Sequence, residues 1–272
     1  MVRGLNVFEG LKAYWQPSDE LAFVLLRRHF ERLHRSAALL HIPWEATYEE
    51  FEHAVFEISR ALRERENDLY VRATLFVVEG HYGQGTVSDL VLTAYQQPKD
   101  PPEPIHVGVS TWRRADDVMM PPRIKTGTNY QVARLARIEG RGRDFGDMLL
   151  LNSAGRLAEA TGACVLAVRD GAVATPPTWE GALESITLDV VSELCASLEI
   201  PFERRPIDRT ELYIADEVGV TGTLVEISPI LSIDERPLPA ERPVLDALAA
   251  AYRDAVTGKA PHPAVELTAV PR

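Results

Sequence analysis

The sequence predicts an α+β chain in two domains. Three observations carry this: strand-like and helix-like periodicities interleave from end to end, periodicity is lost around WRRADDVMMPPR, and 272 residues suffice for two cores. The first domain is placed at 1–113, a linker at 114–122 and a larger second domain at 123–272.

In chain order, VFEGLKAYW is strand-like, and AFVLLRRHF begins as a strand before running into HFERLHRSAALL. There Phe30, Leu33, Ala37 and Leu40 share one helical stripe. TYEEFEHAVFEISRALRE is a clearer helix, with Phe51, Val55, Ile58 and Leu62 on its buried face. DLYVRATLFVV alternates: Leu69, Val71, Ala73, Leu75 and Val77 point one way, Tyr70, Arg72, Thr74 and Phe76 the other, as in a half-buried strand. In WRRADDVMMPPR, charges and paired prolines replace periodicity, which suits a linker. RIKTGTNYQVARLARIEG then sets Lys125 at a loop end, ahead of a helix whose apolar positions are Tyr130, Ala133, Leu135, Ala136 and Ile138. DMLLLNS and ACVLAVRDG read as strands, and a helix runs from about Thr187 to Leu198. A last helix, VLDALAAAYRDAV, closes at Gly258, a suitable C-cap.

Hydrophobic residues at 46% and charged residues at 25% place the chain among ordinary soluble globular proteins. A net charge of −11 offers no basic face for phosphate neutralisation, so small molecules rather than nucleic acid are the expected partners. No apolar run spans a bilayer and the first residues lack signal-peptide order, so no membrane partner and a cytoplasmic location are expected. Cys164 and Cys195, the only cysteines, sit in apolar surroundings and are expected to fill core. Among the seven histidines, His29 and His34 are one residue off the same-face spacing of paired ligands, and no metal is expected.

The segments VFEGLKAY, HFERLHRSA, YVRATLF, KTGTNY, GRLAEATG, TPP, ESIT, ADEV and TGTLVEISP, in this order over nearly the whole chain, resemble the class IV, fold type IV pyridoxal-phosphate enzymes. Among these they are most similar to the branched-chain amino acid aminotransferases. The resemblance implies the two-domain fold of the D-amino acid aminotransferase type, with pyridoxal 5'-phosphate in the interdomain cleft of a homodimer. It also implies transfer of an amino group from an L-amino acid to a 2-oxo acid such as 2-oxoglutarate.

By that resemblance Lys125 is the Schiff-base lysine. A primary amine is required because it condenses with the cofactor aldehyde and, once freed, moves the proton at the substrate α-carbon. Glu159 resembles the acidic partner of the pyridine nitrogen, the alternative being a surface glutamate in a turn. Tyr130 resembles the phenol on the cofactor's ring oxygen; otherwise it is a core tyrosine starting a helix. Arg32 matches the phosphate arginine, unless Arg28, Arg32 and Arg35 form a solvated stripe. Ile186 and Thr187 open a helix whose N–H groups suit an anion. Gly222, Thr223 and Leu224 resemble a nest for phosphate and substrate carboxylate, or are a structural turn. Tyr70 and Arg72 resemble the Tyr-x-Arg that recognises the substrate carboxylate, with an exposed face as the alternative. Phe8 lines the side-chain pocket or fills core.

Several positions depart from the family. Val2, Arg3 and Gly4 stand where relatives end an additional segment in His-Tyr-Gly, so Arg3 replaces a substrate-contacting tyrosine, as in a misplaced start or a trimmed relative with its own substrate. Lys12 stands for arginine, Ala73 for proline and Cys164 for asparagine. Rival readings of the same fold are a D-amino acid transaminase and an aminodeoxychorismate lyase, against which YVR favours the branched-chain type. A rival outside enzymology is a catalytically silent, truncated member acting as a binding protein.

Overall fold

The computed structural model describes residues 4–271, so Val2 and Arg3 lie outside the described residues. The first elements are β1 (Asn6–Trp15), β2 (Leu21–Val24), α1 (Leu26–Leu39), α2 (Tyr48–Leu62), β3 (Asp68–Glu79), β4 (Val87–Gln97) and β5 (Ile105–Arg113). Then follow α3 (Asn129–Gly140), β6 (Asp147–Leu151), β7 (Leu157–Ala160), β8 (Cys164–Arg169), β9 (Ala172–Thr175) and α4 (Ile186–Ser197). The chain ends with β10 (Phe202–Arg204), β11 (Glu217–Gly222), β12 (Glu226–Ile233), β13 (Arg236–Pro237), α5 (Pro243–Val256) and β14 (Leu267–Ala269). No helix among them is long and apolar enough to cross a membrane.

Two compact units divide the chain, and the division is not a single cut. One unit joins the residues up to Asp100 with Ile124–Thr128 and the stretch from Asp254 onward; the other is Pro101–Arg123 with Asn129–Arg253. Strand pairing decides this. β5, which the sequence reading put at the end of a first domain, pairs in parallel with β6 and with β12 in the second unit. Thr126 bridges to Val7 on β1, which draws the segment around Lys125 into the first unit.

In the first unit a five-stranded antiparallel sheet runs in the order β14-β2-β1-β3-β4. The alternation in DLYVRATLFVV is realised: Leu69, Val71, Ala73, Leu75 and Val77 join Val7, Leu11 and Ala13 in a core closed by Leu33, Ala37, Phe51 and Val55 of α1 and α2. α2 starts at a reciprocal capping box between Thr47 and Glu50. Leu62, expected inward, remains 40% exposed because it falls in the last turn of α2, past the sheet-facing stretch.

The second unit carries a nine-stranded mixed sheet in the order β10-β9-β8-β11-β12-β5-β6-β7, with β13 on β12. α3 packs there through Ala136 against Met148 and Leu150, and Ala133 and Gly140 are buried on the same helix. Leu135 and Ile138 point outward, 39% and 42% exposed, so the apolar stripe expected on this helix is corrected. Small residues form the inward face because Gly140 lies against the Met148 side chain, where a Cβ would not fit. α5 is followed by Gly258 at φ 69, whose N–H bonds Ala255 O at 3.2 Å, the C-cap expected there. Cys164 and Cys195 are free and buried.

Candidate active site

In the first unit the site residues assemble around β1. The Phe8 N–H donates to Lys125 O at 2.9 Å, the Lys125 N–H donates to Ser36 Oγ at 3.2 Å, and Thr126 Oγ1 donates to Asn6 O at 2.6 Å. These bonds fix the Lys125 backbone against the strand and α1. Its Nζ lies 5.0 Å from the centroid of the Phe8 ring, and the Arg72 guanidinium carbon lies 3.7 Å from the same centroid. Phe8, 3% exposed, therefore organises a lysine and an arginine rather than only filling core.

Tyr70 is set by the glycine beside it. In the register of β1 and β3, Lys12 faces Tyr70 and Gly10 faces Arg72. A Cβ on Gly10 would overlap the Tyr70 hydroxyl and lie 2.9 Å from its Cε2, so only glycine lets the ring fold across the strand. The ring also tilts against Tyr95, with centroids 5.0 Å apart. Tyr70 is 7% exposed, which removes the exposed-face alternative for it.

Arg32 is 4% exposed and is not part of a solvated stripe; Arg35 is the exposed member. Its Nε and Nη2 donate to the two carboxylate oxygens of Glu9, each at 2.7 Å, a planar two-point contact. His29 Nδ1 donates to Glu9 Oε2 at 2.8 Å. Burial pushes the Glu9 carboxyl up, but the Arg32 charge and the hydrogen bonds from Arg32 and His29 outweigh it and hold Glu9 well below the usual carboxylate range. Burial lowers His29 below its usual value, the bond to Glu9 opposes this, and the charges of Arg32 and Lys125 add to the lowering. The group is an ionised carboxylate, an ionised guanidinium and a neutral imidazole.

In the second unit Glu159 lies on β7 with its side chain 12% exposed, in a strand and not in a surface turn. Arg114 Nε is 3.1 Å from its Oε1, and the Leu183 N–H donates to Oε2 at 2.9 Å. Tyr130 is half-buried in the first turn of α3. Ile186 and Thr187 form the first turn of α4. Ser185 Oγ caps Leu188 N–H, and Asp189 N–H bonds Ser185 O, which leaves the first two N–H groups without intrahelical acceptors. Gly222, Thr223 and Leu224 make the tight connection from β11 to β12, with Gly222 paired to Glu226 and Leu224 38% exposed.

Each unit thus groups its own set: Lys125, Phe8, Arg72, Tyr70 and Arg32 in one, Glu159, Tyr130, Ile186, Thr187 and Gly222–Leu224 in the other. Sequence reasoning passed over Glu9 and Arg114 and weighed His29 only as a metal ligand. The signal was present for Glu9 and His29. Glu9 falls on the inward parity of VFEGLKA with Val7 and Leu11, and His29 and Arg32 lie within the inward stripe bounded by Leu26 and Leu33. For Arg114 no local pattern exists.

A family model described as amino-transferase class IV matches residues 6–233. The probable branched-chain-amino-acid aminotransferase of Aquifex aeolicus is 33% identical over 265 residues, 94% of this chain and 85% of that one. The solved branched-chain aminotransferase of Thermoproteus uzoniensis with norvaline superposes with a TM-score of 0.91 at 35% identity, covering 99% of this chain and 91% of that one. A branched-chain amino acid aminotransferase of Thermobaculum terrenum, solved in its PLP form, gives 0.88 at 33% identity, covering 98% and 90%.

Proposed function

The chain belongs to the class IV aminotransferase family, and on that premise we propose that it is a pyridoxal-phosphate-dependent transaminase acting between an L-amino acid of branched-chain type and a 2-oxo acid such as 2-oxoglutarate. The observation that carries this reading is the amine of Lys125 and the guanidinium of Arg72 gathered on one phenylalanine ring: a nucleophilic base beside a carboxylate binder.

The donor set fits the cofactor. Arg32, the free N–H groups of Ile186 and Thr187, and Thr223 supply charge and donors for a phosphate. Bound pyridoxal phosphate supplies an aldehyde for the lysine and a ring that accepts electrons from the substrate α-carbon. Lys125 Nζ would accept the proton lost from the donor's α-carbon in the first half-reaction and would deliver a proton to the α-carbon of the incoming 2-oxo acid in the second. Tyr130 would donate a hydrogen bond to the ring oxygen, and the Glu159 carboxylate would hold a proton on the ring nitrogen. Arg72 and Tyr70 bind the substrate carboxylate, Gly222–Leu224 offers backbone donors to it, and Phe8 packs on the aliphatic side chain.

The functional form is a homodimer in this reading. The support is the outer face of β4, where Val87, Val91 and Tyr95 are 49%, 39% and 47% exposed while the alternate residues Leu90, Leu92 and Ala94 pack on the core.

Holoenzyme is mixed with L- and D-amino acids and 2-oxoglutarate while product is followed. L-leucine, L-isoleucine and L-valine are expected to be consumed and their D-enantiomers left. Borohydride is expected to fix the cofactor on Lys125, and Lys125→Ala to abolish turnover in a folded protein. Cofactor fixed on another lysine, or preference for D-enantiomers, overturns the assignment.

A further inference from the structure

Arg114 is the other buried arginine of the candidate site, 7% exposed, and no feature of the sequence around it announces a role. Its Nε lies 3.1 Å from Glu159 Oε1 and 3.1 Å from the carbonyl oxygen of Gly181, and its Nη1 donates to Asn129 O at 3.3 Å. One guanidinium therefore ties together β7, the turn at Gly181 and the residue that precedes Tyr130. The turn is built for this approach: Gly181 has φ 104, and a Cβ there would lie 3.3 Å from Ala158 Cβ and 3.4 Å from Arg114 Cβ.

The other oxygen of Glu159 is held independently, by the Leu183 N–H at 2.9 Å. One carboxylate oxygen thus accepts a backbone hydrogen bond, and the other lies in ion-pair contact with a guanidinium from a separate segment. The terminal torsion of a glutamate is broad and two-fold, so an unclamped carboxylate samples a wide range of planes. A hydrogen bond on one oxygen and a fixed positive charge 3.1 Å from the other restrict that freedom and orient the remaining lone pairs.

We propose that Arg114 is a positioning residue: it clamps the Glu159 carboxylate, with Leu183 N–H, in the one orientation that holds a proton on the cofactor's ring nitrogen. The inference rests on the assignment of Glu159 to that nitrogen. A guanidinium is suited to the task because its planar fork bonds the carbonyls of Gly181 and Asn129 and so fixes its charge beside the carboxylate, which a lysine ammonium does with far less geometric control.

The test is a double-mutant cycle on the holoenzyme with Arg114→Gln and Glu159→Gln. The readouts are the 15N resonance of the bound cofactor's ring nitrogen and the washout of deuterium from α-deuterated L-leucine. Alone, Arg114→Gln should move the resonance toward the unprotonated value and slow washout about tenfold; in the Glu159→Gln background it should shift nothing further and slow washout less than about twofold. Equal effects in both backgrounds would make Arg114 a scaffold residue and overturn the proposal, as would an unchanged resonance in Arg114→Gln. A failure of the Glu159 assignment looks different: Glu159→Gln itself keeps a protonated-type resonance and near-normal washout. If Arg114→Gln does not fold, Arg114→Lys enters the same cycle and is expected to show a smaller effect that again vanishes in Glu159→Gln; equal losses in both backgrounds overturn the proposal there too.

Discussion

At the scale of single residues, the Glu9–His29–Arg32 group changes what an Arg32 substitution does. Arg32→Ala removes the proposed phosphate contact, worth about 1.5–3 kcal/mol, on the order of tenfold to a hundredfold in cofactor affinity. It also leaves the Glu9 carboxylate, 0% exposed, without its counter-charge, and breaking a buried pair in this way costs about 3–5 kcal/mol. Arg32→Ala is therefore expected to unfold at lower urea. Adding Glu9→Gln should restore part of that stability and none of the cofactor affinity, which equilibrium unfolding and a cofactor titration read separately. A double variant as unstable as Arg32→Ala would show that Glu9 carries no strain when alone. The group also sets a pH dependence. His29 is lowered from 6.5 and Glu9 from 4.5, so in both cases the unfolded chain binds a proton at a pH where the folded chain does not. Stability then falls as the pH falls, first below about 6.5 as unfolded His29 protonates and more steeply below about 4.5 as unfolded Glu9 does. His29→Gln should flatten the upper part of that decline in melting temperatures taken from pH 8 to 4, and a profile as steep as the parent's would remove His29 from the account.

At the scale of elements, the contrast between Gly10 and Thr47 separates site construction from helix stability. Gly10→Ala forces the Tyr70 ring off β1 and is expected to cost about 1–3 kcal/mol while raising KM, because Tyr70 no longer sits beside Arg72. Thr47→Ala breaks the capping box of α2 and is expected to cost about 1 kcal/mol, with KM and kcat unchanged. Denaturant titrations and steady-state kinetics check both, and an unaltered KM in Gly10→Ala would mean that the ring's placement does not matter to substrate. These elements also show what was legible. β3 and α2 were readable because apolar residues recur at their own periods over a full element, whereas Lys125, Glu159 and Thr223 were singled out by motif order alone. Arg114 was not readable, since a buried charge looks like an exposed one until its partner is placed, and Glu159 lies 45 residues away; the inward parity of Glu9 marks it as buried but not its pairing with Arg32, 23 residues on. The division of the chain was hidden for a similar reason: β5 finds its neighbour β12 across more than a hundred residues, as in the pair Ile105 and Ile230, and no local period signals that.

At the scale of the whole molecule, the proposed dimer and the proposed substrate site meet on one sheet face. Tyr70 opposes Tyr95, Arg72 opposes Thr93 and Thr74 opposes Val91 in the register of β3 and β4, so the exposed Val91 and Tyr95 lie on the face that carries Tyr70 and Arg72, the proposed carboxylate-binding pair. A second copy seated there would shield Arg72 from water, and a charge-assisted bond to a carboxylate strengthens as its surroundings lose solvent. Placing a charge at the centre of that face should therefore separate the subunits and weaken substrate binding together. Val91→Lys is the substitution of choice, because Val91 is 39% exposed and a lysine there folds without entering the core. The parent is expected to sediment at twice the chain's mass and Val91→Lys at once. Its KM for L-leucine should rise about tenfold or more, while cofactor affinity changes less than about threefold, since Arg32, Ile186 and Thr187 do not lie on this face. Circular dichroism and melting temperature guard against unfolding. A Val91→Lys protein that stays dimeric places the interface elsewhere, and a monomer with the parent's KM shows that the face closes without serving the substrate.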